Sequence, residues 1–145
     1  MSAVDAHARH RAREAALQML YQCEIGKAGA YASIATYWPA RDAEDDVPEP
    51  LRTFANDLVR GTLDRQAEID RMLQAHAQNW RIERMNVIDR LVLRMAVYEM
   101  LTQNETPSKV IINEAIELAR SFSGEEAVGF VNGVLDAVRK ELRRA

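Results

Sequence analysis

Asp89-Arg90-Leu91-Val92-Leu93-Arg94-Met95-Ala96-Val97-Tyr98-Glu99 is the stretch that decides the fold. With Ile88 before it and Leu101 after it, Ile88, Leu91, Val92, Met95, Tyr98 and Leu101 return at intervals of three and four. That is the period of one face of an α-helix, not the alternation of a half-buried strand. Asn104 is a natural end to this helix. Thr106-Pro107 then reads as an N-cap followed by proline in the first turn, where its missing N–H costs nothing. Val110, Ile111, Ala115, Leu118, Ala119 and Phe122 carry the next helix. Ser123-Gly124-Glu125-Glu126 has the spacing of a capping box and is expected to start the last one. Leu93, Ala96, Leu118, Val131 and Leu135 are expected to be buried, with Val128, Val138 and Leu142 on the same inner side as Val131 and Leu135. Asn132-Gly133 would signal a hairpin elsewhere. Here the apolar period continues through it, so Gly133 reads as a close helix–helix contact.

The N-terminal half follows the same period. A first helix is expected from about His7 to Ile25, with Ala12, Ala16, Leu17, Leu20 and Cys23 on its apolar stripe and Gly26 as its stop. A short helix covers Tyr31 to Tyr37 and ends before Pro39. Residues 40–50 are acidic, contain two prolines and read as a surface loop. Leu51, Phe54, Leu58, Leu63, Ile69, Met72 and Leu73 outline helical segments to about Ala77, with Gly61 as a kink or break. With only 6 glycines and 4 prolines in 145 residues, little punctuates the chain, which favours long helices. Hydrophobic residues make up 48% and charged residues 28%, the balance of a chain able to bury its own core. The expectation is a single all-α domain over 1–145.

Cys23 has no second cysteine to pair with and falls on the apolar stripe, where a buried thiol is the expectation. No apolar run approaches the roughly 18 residues needed to span a bilayer, and the polar start is unlike a signal peptide. No membrane association and a cytoplasmic location are expected. The net charge of −3 hides an asymmetry. Residues 1–13 balance to +2 and residues 139–144 to +3, while residues 41–50 balance to −4. A basic patch sets the local phosphate field whatever the global balance.

Catalytic signatures are missing. There is no Gly-rich phosphate loop, no paired cysteines, no nucleophile elbow, and His7, His10 and His76 lack metal-ligand spacing. Glu114 and Glu117 share a helical face without an evident partner for acid–base work. No enzyme activity, metal or cofactor is expected. The strongest functional element is Arg9-His10-Arg11-Ala12-Arg13-Glu14, several cations in about one and a half helical turns. Arg9 and Arg13 are four apart and stack on one side, while Arg11 lies well round the helix. Guanidinium forks match phosphate geometry and stack on bases, which suits single-stranded RNA. A solvated helix end is the competing reading.

That cluster, the Asp89–Glu99 stretch, and Lys109-Val110-Ile111-Ile112-Asn113-Glu114-Ala115-Ile116-Glu117-Leu118-Ala119-Arg120-Ser121-Phe122 with Phe130-Val131-Asn132-Gly133-Val134-Leu135-Asp136 occur in order. Together they resemble the NusB family of bacterial transcription antitermination factors, over roughly Arg9 to Val138. The resemblance implies about seven helices in two packed three-helix bundles. It implies binding of boxA RNA together with the ribosomal protein NusE, within the RNA polymerase antitermination complex, so that ribosomal RNA operons are transcribed processively.

On matching positions, the resemblance implies RNA contacts at Arg9, His10, Arg11, Arg13, Phe122, Glu126 and Phe130, and a NusE-binding face with Tyr21 and Asp89. His10 stands where a more basic residue is expected, Glu126 where a shorter Asp is usual, and Asp89 where Glu is. Glu126 can accept from a base edge or cap a helix, and Phe122 and Phe130 fit the core period as well as base stacking. Asn113 and Asn132 match the family and read as buried amides tying helices together. Self-association through the RNA face stays open. A protein-only helical scaffold, and the accessory domain of a ribosomal RNA methyltransferase with a long catalytic portion beyond residue 145, are the alternatives.

Overall fold

The computed structural model of the protein describes residues 3–41, 47–77 and 81–145. Among these residues every regular element is helical, and the chain forms two compact units, residues 1–64 and 65–145. Residues 42–46 of the acidic stretch at 40–50 lie outside the described residues. Of the rest, Val47 is buried and Glu49 already begins a helix, so the expected surface loop is shorter than 40–50.

The first unit holds α1 (Ala3–Gly26), α2 (Ala30–Tyr37) and α3 (Glu49–Asp64). α1 packs on both of the others. Ala8, Ala12, Ala15 and Ala16 are buried along its first half, followed by Leu17, Met19, Leu20 and Cys23. Small side chains allow helices to approach closely, and Ala55, Leu58 and Val59 of α3 are buried too. α1 starts four residues earlier than the expected His7, and Ala8 lies on its buried side. Gly26 is its last residue, but the left-handed turn that ends it falls at Lys27, with φ of 58°.

Polar side chains tie α2 down. The Tyr37 hydroxyl donates to Gln18 Oε1 at 2.6 Å, and the Trp38 indole N–H donates to Asn56 Oδ1 at 2.8 Å.

The second unit holds α4 (Gln66–Ala77), a 3-10 turn (Ile82–Arg84), α5 (Val87–Thr102), α6 (Ser108–Phe122), a second 3-10 turn (Glu125–Ala127) and α7 (Val128–Glu141). The break before α4 falls at Arg65 and not at Gly61. The Arg65 guanidinium there forks onto the Glu68 carboxylate at 2.9 and 3.0 Å. This ion pair raises the pKa of Arg65, and the same hydrogen bond lowers that of Glu68. α5 begins on an Asn86 cap, whose side chain accepts from the Ile88 N–H. Every residue of α5 from Arg90 to Met100 is buried, the pattern of a central helix.

Several local expectations fail. Pro107, not Thr106, holds the cap position of α6, since Ser108 is its first residue. The capping box at Ser123–Glu126 does not form. Gly124 takes φ of 149° and turns the chain into the second 3-10 turn, so α7 starts at Val128 without a side-chain cap. Asn113, Asn132 and Gly133 face outward, and a Cβ at Gly133 would meet open space. The two asparagines are therefore not buried ties, and Gly133 makes no close contact. Val110 is likewise exposed, and Leu142 is only half-buried.

Leu93, Ala96, Leu118, Val131 and Leu135 are all buried, as their spacing requires. Leu135 is fully enclosed, at 0% exposure. Leu135→Ala should cost roughly 2–5 kcal/mol in a denaturant titration, through lost burial and the residual cavity. A loss under about 0.5 kcal/mol, the level of a surface substitution, would place Leu135 outside the core.

Candidate nucleic-acid interface

The cations at the start of α1 are sorted by their neighbours. Arg9 and Arg13 each bring the guanidinium carbon to 5.3 Å from the centre of the Phe54 ring on α3. Arg13 is buried at 3% exposure, so its stem belongs to the core, while Arg9 is half-buried. On another side of the helix, His10 Nε2 lies 2.8 Å and Arg11 Nη1 3.3 Å from the two oxygens of Glu14. His10 and Arg11 keep part of their surface in solvent. The start of α1 thus presents Arg9, His10 and Arg11, braced by an aromatic ring and one carboxylate. Tyr21 is 42% exposed on the same helix, about 12 Å beyond Arg13 along the axis.

The second basic cluster of the chain, at residues 139–144, is engaged differently. Arg139 forks onto Asp136, with Lys140 also in reach at 3.3 Å. These contacts, Arg139 first, hold the Asp136 carboxyl below the usual carboxylate range. The Arg144 guanidinium donates to Ser108 Oγ at 2.8 Å and to the carbonyls of Met100, Gln103 and Thr106. It thereby clamps the loop between α5 and α6. Three of the four cations in this cluster serve the fold. By net charge alone the two clusters are similar, and the packing separates them.

In the second unit, Arg84, Met85, Asn86, Asp89, Ser123, Glu126, Ala127 and Phe130 line one cleft of about 320 Å³. Gly124 makes this geometry: a Cβ there would stand 2.8 Å from the Glu126 carboxylate. Arg120 steadies the adjoining turn by donating to Glu125 at 2.8 Å and to Glu117, and both contacts, Glu125 first, raise the pKa of Arg120. Asp89 Oδ1 is buried and has no hydrogen-bond partner among the described residues. A buried acceptor left unmade costs about 1–3 kcal/mol.

Asp89, assigned by resemblance to the protein partner, thus shares a cleft with Glu126 and Phe130, assigned to RNA. Phe122 is 40% exposed at the end of α6 and is not among the cleft-lining residues. Sequence reasoning missed the roles of Phe54, Glu14, Arg84 and Ser123. Only Glu14 carried a signal, its i,i+3 and i,i+4 spacing from Arg11 and His10.

Among the described residues, no group of three His, Cys, Asp or Glu is arranged to hold a metal ion, and no helix is long and apolar enough to cross a membrane.

The NusB family model matches residues 10–140. The transcription antitermination protein NusB of Solibacter usitatus is 50% identical over 134 residues, covering 92% of this chain and 90% of that protein. The NusB structure from T. maritima is 31% identical with a TM-score of 0.81, covering 92% of this chain and 91% of that one. A solved complex of antitermination factors NusB and NusE with double-stranded RNA has a TM-score of 0.82 over 93% of this chain and 98% of that one. At 23% identity it is a likeness of fold. The chain belongs to the NusB family.

Proposed function

We propose that the protein is a non-catalytic, cytoplasmic antitermination factor. It binds boxA RNA through the start of α1 and pairs with NusE, so that RNA polymerase transcribes ribosomal RNA operons without premature termination. The observation that carries this reading is the set of cations gathered at the start of α1, held in place by Phe54 and Glu14. The name of the Solibacter relative and the RNA and NusE partners of the solved NusB complex support it.

The mechanism needs no bond chemistry. Arginine forks neutralise phosphates and release counterions, which gives affinity without sequence preference. Preference comes from bases held at a cleft. Phe130 supplies an aromatic surface there, Glu126 supplies an acceptor for an exocyclic amine, and exposed Phe122 adds a second stacking surface. The protein partner takes Tyr21 and Asp89, where an acidic group suits a basic ribosomal protein. Two modest interfaces acting together give tight, conditional assembly.

Arg9→Ala and Arg11→Ala should each weaken binding to boxA and to scrambled RNA alike. In a salt titration, the log–log slope should flatten by roughly 0.7 for each lost phosphate contact on a single strand. Arg13→Ala is expected to act chiefly on stability, because its guanidinium is enclosed. If Arg9→Ala and Arg11→Ala bind both RNAs as wild type does at every salt, the cluster is a solvated helix end.

For the protein partner, Asp89→Lys should weaken NusE binding at least tenfold while leaving the helical circular dichroism unchanged, the scale of about 1.4 kcal/mol for a charge reversal at an interface. Unaltered NusE affinity in this variant would remove Asp89 from the interface.

A further inference from the structure

In sequence, Phe54 is one apolar position among several on α3. Its ring instead has two arginines of α1 over it, each with the guanidinium carbon 5.3 Å from the ring centre. Arg9 and Arg13 are one turn apart, so their like charges repel, and the negative face of an aromatic ring offsets that repulsion. The ring also restrains two long side chains that would otherwise sample many rotamers. A guanidinium engaged through its charge above a ring keeps its N–H donors, which lie in its own plane, available to a phosphate. Arg13 is enclosed and serves as the inner member of the pair, while Arg9 retains exposed surface.

We propose that Phe54 is a positioning residue for RNA binding, its ring holding Arg9 and Arg13 as a preorganised pair so that α3 sets the aim of the cations on α1. This inference rests on the RNA reading of α1 given above. It differs in making an uncharged residue on another helix responsible for part of the affinity.

The test is a double-mutant cycle on a single-stranded boxA RNA, comparing wild type, Phe54→Leu, Phe54→Tyr, Arg9→Ala and the Phe54→Leu/Arg9→Ala double variant. Phe54→Leu should bind about three- to tenfold more weakly, the cost of ordering a released long side chain on binding. Its salt slope should match wild type, since no charge is removed. Phe54→Tyr keeps the ring and should bind within about twofold of wild type. In the Arg9→Ala background, Phe54→Leu should change affinity by less than about twofold, because the two residues act as a unit. Phe54→Met, which also lacks a ring, is read alongside, so that a folding defect peculiar to leucine does not decide the outcome.

Wild-type affinity in both ringless variants overturns the proposal, as does an equal loss with and without Arg9, which would mean packing alone. If Arg9→Ala weakens binding and the ringless variants do not, the RNA reading stands and only the role of Phe54 falls. If Arg9→Ala binds as wild type, the role of Phe54 falls, and if Arg11→Ala does so too, the RNA reading falls with it.

Discussion

A helix enclosed on every side cannot leave its charges without counter-groups, and α5 carries Arg90, Arg94 and Glu99 within its buried stretch. Arg94 forks onto Asp70 of α4 at 2.7 and 2.9 Å, a bidentate pair that fixes one helix against the other. Arg90 reaches back to the carbonyls of Ile82 and Met85 at 3.2 and 3.5 Å. Those carbonyls belong to the 3-10 turn ahead of α5 and the residue after it, and Arg84 and Met85 line the cleft. Charge satisfaction in the core therefore also shapes the cleft. Removing one member of such a pair typically costs about 3–5 kcal/mol, because the other charge stays buried and unpaired.

The same residue type does opposite work at the two ends of the chain. Arg139 and Arg144 spend their donors on Asp136 and on main-chain carbonyls, which closes the end of α7 onto the loop between α5 and α6. Arg9 lies over a ring face, Arg11 reaches the Glu14 carboxylate at 3.3 Å, and both keep part of their surface in solvent. An arginine that has satisfied its fork against carbonyls offers little to a phosphate. One stacked on a ring still does.

Much of the fold was legible because burial follows the helical period. Leu93, Leu118, Val131 and Leu135 are enclosed as their spacing demands. Errors gathered where a local signal competed with tertiary geometry. The Ser123–Glu126 spacing suggested a capping box, but Gly124 takes a conformation reserved for glycine and redirects the chain. Asn113 and Asn132 carried the family pattern, which identifies a position without saying which way it faces, and both turn outward. Arg13 shows the reverse error, a charged residue read as a surface contact and found in the core. The cleft was illegible, since it joins residues from Arg84 to Phe130 through the packing of α5, α6 and α7. Phe54 was hidden by fitting the core period too well.

The central claim is that the start of α1 is an RNA-binding surface. The most direct measurement is an amide NMR titration of the intact protein with boxA RNA, with a scrambled RNA of equal length as reference. The expected result is large, saturable shifts at Arg9, His10 and Arg11 with both RNAs, joined by Glu126 and Phe130 with boxA alone. Shifts confined to residues 139–144, or none along α1 at saturating RNA, would contradict it.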